Sequence, residues 1–596
     1  MIKLSDYVFE FIAGLGIKQV FLLPGGGCMH LVDSLGKQNA LELVGCLHEQ
    51  AVSIAADAYS QYTKNIGVAL VTTGPGGTNA ITGVTASWID SIPCLIISGQ
   101  VKRNDIGADK GLRQLGVQEV DIISMVKPIT KYAITVLEPK TIRYHLEKAV
   151  YLAKSGRPGP VWIDIPLDVQ SSTIDETKLE KFSPDPEPKK DLEDKIEQII
   201  KLLIQSKRPV ILAGNGIRLG KAEKEFLDLI EILKIPILTT WKAIDIIPDN
   251  NKLFFGRPGS IGQRGANFIQ QNSDLIISIG ARLDLAQVGY SYKNFAREAK
   301  KVVIDIDPAE IKKIQFDITI EICADAGNFI RDLIKRNIKL DEKTEWLVQC
   351  KKWVEKYPIV LPEQRNQKKY VSTYALIDVL SDIMKDGELL VPGSSAACSE
   401  ITFQAFRVKK EQRIINSPGL GAMGFGLPAS IGACIASGKK RTICINGDGG
   451  FQLNIQELAT VAGLKLPIKF FILNNDGYSS IKNSQRNYFE GKYVCSDSNS
   501  GLYLPNINKV ANAYGLTTLR IENNQELQTK IKQAFEIDGP VLCEIMIDPE
   551  ELTLPRLKSE IKPDGKMVSK PMEDLWPFLP REEFKSEMII EVLEEK

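Results

Sequence analysis

Residues Arg441 to Ile481 read RTICINGDGGFQLNIQELATVAGLKLPIKFFILNNDGYSSI. Two short apolar runs, Thr442 to Ile445 and Lys469 to Leu473, are rich in β-branched and aromatic residues, as strands buried on both faces of a parallel sheet are. Between them Ile455, Leu458, Ala459 and Ala462 fall on one helical face. The stretch is a βαβ unit. Both strands run out into polar residues, Gly447-Asp448-Gly449 after the first and Asn474-Asn475 after the second. In open parallel sheets ligands bind beyond the carboxyl ends of the strands. Asp448 offers a carboxylate, Asn475 an amide oxygen and Gly477 a main-chain carbonyl. These are the hard oxygens Mg²⁺ prefers, with phosphate and water completing its octahedron. Gly447, Gly449 and Gly450 let the backbone approach a phosphate. GDG alone fits an ordinary βα turn; GDG and NN ending two strands of one unit point to a metal-bound diphosphate.

The chain has 596 residues, too many for one core, so three or four domains are expected. Lys plus Arg balance Asp plus Glu at 74 each, which removes any general argument for nucleic acid or an anionic membrane. The ten cysteines form no CxxC pair, so neither a zinc site nor a disulfide framework is indicated, and reduced thiols fit a cytoplasmic enzyme. Val8, Phe9, Ile12 and Leu15 follow a helical period among charged residues, which predicts an amphipathic helix rather than a signal peptide.

Alternating strand and helix patterns predict an α/β protein of doubly wound parallel sheets. Residues 1–175 form the first domain, with strands at Gln19 to Leu23, Leu43 to Cys46, Gly67 to Thr72, Pro93 to Ser98 and Val161 to Ile165. A Ser-, Pro- and charge-rich linker, Ser171 to Lys190, leads to a second α/β domain over 191–340. A connector, Asn337 to Tyr370, precedes the third domain, 371–549, and a charged, Pro-rich arm covers 550–596. Strand-end loops stand out in the first domain: Pro24-Gly25-Gly26-Gly27, His48-Glu49-Gln50, and Thr73 to Asn79. In the second, Gly214 to Gly220 is one residue longer than a dinucleotide fingerprint and is a weak signal.

GDG followed by helix, strand and NN resembles the thiamine diphosphate (ThDP) motif. The likeness extends over nearly the whole chain to the acetohydroxyacid (acetolactate) synthase family. It implies three successive ThDP-enzyme domains, ThDP with Mg²⁺ as cofactors, and an active site at the interface of a homodimer or homotetramer. It implies catalytic roles for Glu49, facing N1′ of the cofactor's pyrimidine, and for Gln118 and His30. ThDP would lie against Gly26, Thr73 and Asn79 of the first domain. In the third it would meet Gly393, Ser394, Ser395, Gly421, Met423, Gly447, Asp448, Gly449, Gly450, Asn475, Gly477 and Tyr478. Met423 would keep it bent, and Asp448, Asn475 and Gly477 would hold the metal. Gly27, Val117, Ile481 and Ser484 would meet substrate.

The same resemblance implies FAD in the central domain, on Gly214, Gly216, Thr240, Gly280, Ala281, Arg282, Asp305, Ile306 and Asp325; an empty central domain is the alternative. The expected reaction is carboligation: decarboxylation of a 2-oxo acid such as pyruvate and transfer of its two-carbon unit to a second carbonyl. A plain ThDP decarboxylase is the alternative. Three positions depart from the family pattern. Val117 replaces Phe, Ser484 stands where a Trp selects the second 2-oxo acid, and Ala286 replaces an Arg. PGGGCMHLVDSLG and the long arm also resemble a subgroup linked to sugar and polysaccharide biosynthesis, whose acceptors include keto-sugars. The arm is expected over the active-site mouth or a neighbouring subunit.

Overall fold

The computed structural model describes residues 1–107, 110–185, 192–393, 396–561 and 567–593. Three parallel sheets follow one another along the chain, the expected doubly wound α/β architecture. The first has six strands, in spatial order Glu42–Gly45, Gln19–Leu22, Gly67–Val71, Cys94–Gln100, Val161–Pro166 and Tyr132–Thr135. The third also has six: Arg413–Ile414, Leu389–Pro392, Thr442–Gly447, Ile468–Asn474, Val541–Met546 and Thr517–Ile521. In both, numbering strands by chain order within the sheet, the order is 2-1-3-4-6-5. The central sheet has five, in the order 2-1-3-4-5: Ile237–Thr239, Pro209–Ala213, Leu275–Ile279, Lys300–Asp305 and Ile320–Cys323.

Strands placed from apolar runs are where the pattern put them. Tyr132–Thr135 escaped the sequence reading because it is a sheet edge with every residue only partly buried. Between the two strands of the GDG unit the backbone is tighter than expected: a 3₁₀ turn at Ile455–Glu457 leads into a short helix, Leu458–Gly463. Its buried apolar side chains are Leu458 and Val461.

The first and third domains pack through equivalent helices. Glu49–Thr63 follows the second strand of the first sheet, and Gly426–Ala436 the second strand of the third. Both are rich in Ala and Gly, so their backbones approach closely: a Cβ on Gly432 would lie 2.1 Å from the Ala55 carbonyl oxygen. One apolar core runs through both domains, from Val52 and Ala55 to Ile431, Leu458 and Phe470. The central domain carries its own core around Ile211, Ile277 and Phe329.

Two stretches expected as peripheral are integral to the central domain. The connector contains the helix Thr344–Lys356, whose Trp346 and Trp353 are buried beside Phe268. The C-terminal arm, expected over the active-site mouth or a neighbour, lies along the helix Arg264–Asn272 of its own chain. Every residue of that helix is buried, including Arg264, Asn267, Gln270, Gln271 and Asn272. Arg264 donates to the Leu575 and Pro577 carbonyls, Asn267 to that of Met572, and Gln271 to Glu573. Buried polar groups need such partners, and the arm supplies them to Arg264 and Asn267 through main-chain carbonyls and to Gln271 through the Glu573 carboxylate.

Candidate active site

Two clusters form at the carboxyl ends of the first and third sheets. In the first, His48 caps the helix Glu49–Thr63, its Nδ1 accepting from Gln50 N–H at 3.0 Å. Glu49 therefore opens that helix, where a carboxylate is favoured by the helix dipole. Glu49 is 7 % exposed, and Asn79 Nδ2 donates to its Oε2 at 3.0 Å. The glycines beside it are needed for close approach. A Cβ on Gly25 would lie 2.5 Å from Thr72, and one on Gly27 2.8 Å from Thr73. Gly27 N–H donates to Thr72 Oγ1, and its carbonyl accepts from Gln170. Gly26 is open on this side, with no atom within 4 Å of where a Cβ would lie. The Thr73 hydroxyl is taken up by Gln100 Oε1 at 2.8 Å.

The loop carrying Val117 and Gln118 reaches this cluster by backbone contact. Gly74 has φ +61°, and the Gln118 carbonyl oxygen lies 2.3 Å from where its Cβ would be. Gln118 has φ +66°, and its side chain is exposed. The loop is held from behind by the buried Glu119, whose carboxylate accepts from Leu115 N–H at 2.7 Å and Gly116 N–H at 3.2 Å. His30 is half-buried, near Lys3 and Asp33, and makes no hydrogen bond to Glu49; burial, then Lys3, lowers its pKa.

In the third domain Asp448 ends one strand and Asn475 the next. Asp448 is 5 % exposed; its Oδ1 accepts from Gly449 N–H at 2.8 Å and its Oδ2 from Gly477 N–H at 3.1 Å. Burial pushes its pKa up to about 6 against these bonds. Asn475 Oδ1 is buried with no hydrogen-bond partner. An unmatched buried acceptor beside a buried carboxylate fits a cation. Among the described residues no group of three or more His, Cys, Asp or Glu gathers, so the donor set here is one carboxylate with amide and carbonyl oxygens. Gly477 has φ +122° with Ser496 O 2.2 Å from a Cβ there, and Gly449 packs under the Tyr478 ring. Gly393 packs against Asn446, Gly447 is uncrowded, and a Cβ on Gly450 would lie 3.3 Å from Asn446 Oδ1. Ser394 and Ser395 lie outside the described residues. Lys482, which the sequence reading passed over, is buried and donates to the Asn475 carbonyl at 2.9 Å.

Gly421, with φ +63°, leads to Met423. Met423, Ile481 and Val117 are 38, 48 and 86 % exposed, which leaves an apolar rim at both clusters. Ser484 is exposed, and its hydroxyl is bonded to the Ser480 carbonyl. Among the described residues no hydrogen bond or ion pair joins Glu49 or Asn79 to Asp448, Asn475 or Gly477.

A third site is a cavity of about 390 Å³ at the carboxyl ends of the central sheet. Gly216, Thr240, Gly280, Ala281, Arg282, Asp305, Ile306 and Asp325 line it, together with Pro418 and Gly419 of the third domain. Gly214 lies behind the wall, a Cβ there striking the Gly280 carbonyl at 2.1 Å. Asp325 caps a helix through Asn328 N–H. The first domain closes the cavity with Arg157, which sits in the Pro- and Gly-rich stretch Ser155 to Val161. Its Nη1 meets Asp307 at 3.1 Å and Glu310 at 2.6 Å.

None of the ten cysteines is joined in a disulfide. No helix among the described residues is long and apolar enough to cross a membrane.

Residues 2–125 match the family of the thiamine pyrophosphate enzyme N-terminal TPP binding domain, 196–333 that of the central domain and 395–545 that of the C-terminal TPP binding domain. The acetolactate synthase large subunit of Cyanidium caldarium is 32 % identical over 559 residues, covering 91 % of this chain and 92 % of its own. That of Lactococcus lactis is 32 % identical over 567 residues, 94 % of this chain and 95 % of its own. A probable acetolactate synthase large subunit of Methanocaldococcus jannaschii is 33 % identical over 588 residues, 95 % of each chain. With three family domains in this order and relatives matched nearly end to end, the chain belongs to the thiamine pyrophosphate enzymes, alongside the acetolactate synthase large subunits.

Proposed function

We propose that the chain is a ThDP- and Mg²⁺-dependent carboligase that decarboxylates pyruvate and joins the two-carbon unit to a second carbonyl compound. The observation that carries this reading is the pair of half-sites on two sheets of the same topology. One presents the buried Glu49, the other the buried Asp448 with the unmatched oxygen of Asn475. What such a cofactor supplies when bound is a nucleophilic carbon and an electron sink for decarboxylation.

The protein's own part is positioning and proton control. Asn79 fixes the Glu49 carboxyl, which would hold a proton at N1′ of the pyrimidine. Asp448, Asn475 and the Gly477 carbonyl would hold the metal. Val117, Met423 and Ile481 are apolar and would exclude water once covered. By the architecture that the family resemblance implies, the active unit is a homo-oligomer in which the Glu49 half-site of one copy faces the Asp448 half-site of another. The central cavity suits FAD as a structural ligand: its volume is within the range of small-molecule sites, and the aligned glycines let a dinucleotide meet backbone.

The test is mass spectrometry of the products formed from pyruvate with ThDP and Mg²⁺, alone and with 2-oxobutyrate or a keto-deoxysugar. A carboligation product is expected; free acetaldehyde as the only product would replace this reading with a plain decarboxylase. Flavin absorbance in the purified protein, released on denaturation, is expected, and a colourless protein with no thermal response to FAD would remove the FAD assignment.

A further inference from the structure

A smaller cavity of about 100 Å³ opens where all three domains meet. Six cationic side chains line it: Lys64 and Lys154 from the first domain, Arg218, Lys221 and Lys242 from the central domain, and Arg413 from the third. Among the described residues no carboxylate lines it. Four carboxylates reach these cations from behind the wall, one of them the buried Asp57, which accepts from Gln61 and is drawn to the charge of Lys242. Asp245 lies 2.7 Å from Arg218 and 2.9 Å from Arg413. Glu223 meets Lys64 at 2.5 Å, and Asp90 is 3.7 Å from Lys242. Six positive charges against four negative leave an excess of two on the cavity wall.

The excess is concentrated on two groups. Lys154 is bonded only to the neutral Asn65 Oδ1, at 2.7 Å, and the Lys221 ammonium makes no ion pair among the described residues. Loss of surrounding water, then the like charge of Lys221, lowers the pKa of Lys154. On the floor Arg218 is 9 % exposed, and its Nε has no hydrogen-bond partner, Glu223 being 3.4 Å away. A concave wall of one charge focuses the field on an anion, and guanidinium groups favour oxyanions through directed N–H bonds. The volume of about 100 Å³ is enough to admit a phosphoryl group.

We propose that this cavity binds a phosphate-sized oxyanion, either inorganic phosphate or the phosphoryl group of a small metabolite, and that the bound anion ties the three domains together. The site is independent of the ThDP half-sites and stands whether or not the carboligase reading holds.

The experiment uses the full-length protein, titrated with inorganic phosphate at ionic strength held constant with chloride. It is followed by thermal unfolding and by calorimetry. Saturable stabilisation by phosphate is expected. The variant Lys64→Gln/Lys221→Gln removes two cations that line only the small cavity, and it should weaken phosphate binding at least tenfold with flavin content unchanged. The Lys64→Arg/Lys221→Arg variant should restore binding. Glycerol phosphate binding as tightly as phosphate assigns the site to phosphorylated metabolites; phosphate binding alone assigns it to the free ion. Equal stabilisation by chloride, unchanged phosphate affinity in the Gln variant, or joint loss of phosphate and flavin would each overturn the proposal.

Discussion

At Glu49 the chemistry depends on a proton and not on charge alone. The carboxyl is buried, held by Asn79, and placed at a helix start by the cap from His48. Glu49→Gln keeps size and hydrogen bonding but cannot carry the proton. It should slow hydrogen–deuterium exchange at C2 of bound ThDP by about 10²–10⁴-fold with ThDP still bound; NMR of quenched exchange samples checks this. Asp448→Ala removes the one carboxylate of the proposed metal set. Metal-dependent ThDP binding, followed by fluorescence with and without chelator, should then disappear while circular dichroism is unchanged. At Ser484 the side chain is short, exposed and bonded to its own helix, so no bulky apolar wall stands there. An apolar wall discriminates one methylene by only about 1–3 kcal/mol. Its absence should leave pyruvate and 2-oxobutyrate competing almost equally as acceptors, and a strong preference for 2-oxobutyrate in a competition assay would refute this.

The helix Arg264–Asn272 and the C-terminal arm are stable only as a pair. Alone, the helix would expose amides and a guanidinium whose partners lie in the arm, and the arm would expose Phe584, Leu579 and Met588, which pack into the central-domain core. Glu573 shows the coupling: it is 1 % exposed and accepts from Arg297 at 2.6 Å and from Gln271 at 2.8 Å. Glu573→Ala removes the carboxylate partner of the largely buried Arg297 guanidinium, which keeps only the Glu591 carbonyl, and one of the two acceptors of Gln271; breaking a buried ion pair from one side costs about 3–5 kcal/mol. Urea unfolding should show a loss of that order, with ThDP-dependent chemistry retained under native conditions.

Across the whole molecule the central and third domains are joined at Asp245. Its carboxylate is fully buried; burial alone would raise its pKa, but Arg218 and Arg413 outweigh burial and bring it down to about 2. A carboxyl held below its unfolded value stabilises the fold above that value and loses the contribution as pH falls toward the folded one. The stability difference between wild type and Asp245→Asn should therefore be full at neutral pH and shrink between about pH 4 and pH 2. Melting curves of both proteins over this range test the sign. A difference that grows as pH falls would refute the assignment.

Local chemistry is written in the order of residues. The βαβ pattern around GDG and NN, the glycine loops at strand ends and the apolar strand runs follow from side-chain type and period. They determined the parallel-sheet class and pointed to Asp448 and Asn475 as metal-binding candidates, whereas Glu49 stood out only through the family resemblance. What joins distant residues is not written that way. Arg157 reads as part of a Pro/Gly turn until the first domain closes on Asp307 and Glu310. Lys64, Arg218 and Arg413 are ordinary surface charges until three domains bring them around one cavity. The amide-rich helix Arg264–Asn272 is buried only because the arm covers it. Each depends on groups hundreds of residues apart being desolvated together, and the energy of that burial belongs to the tertiary packing and to no single stretch of chain.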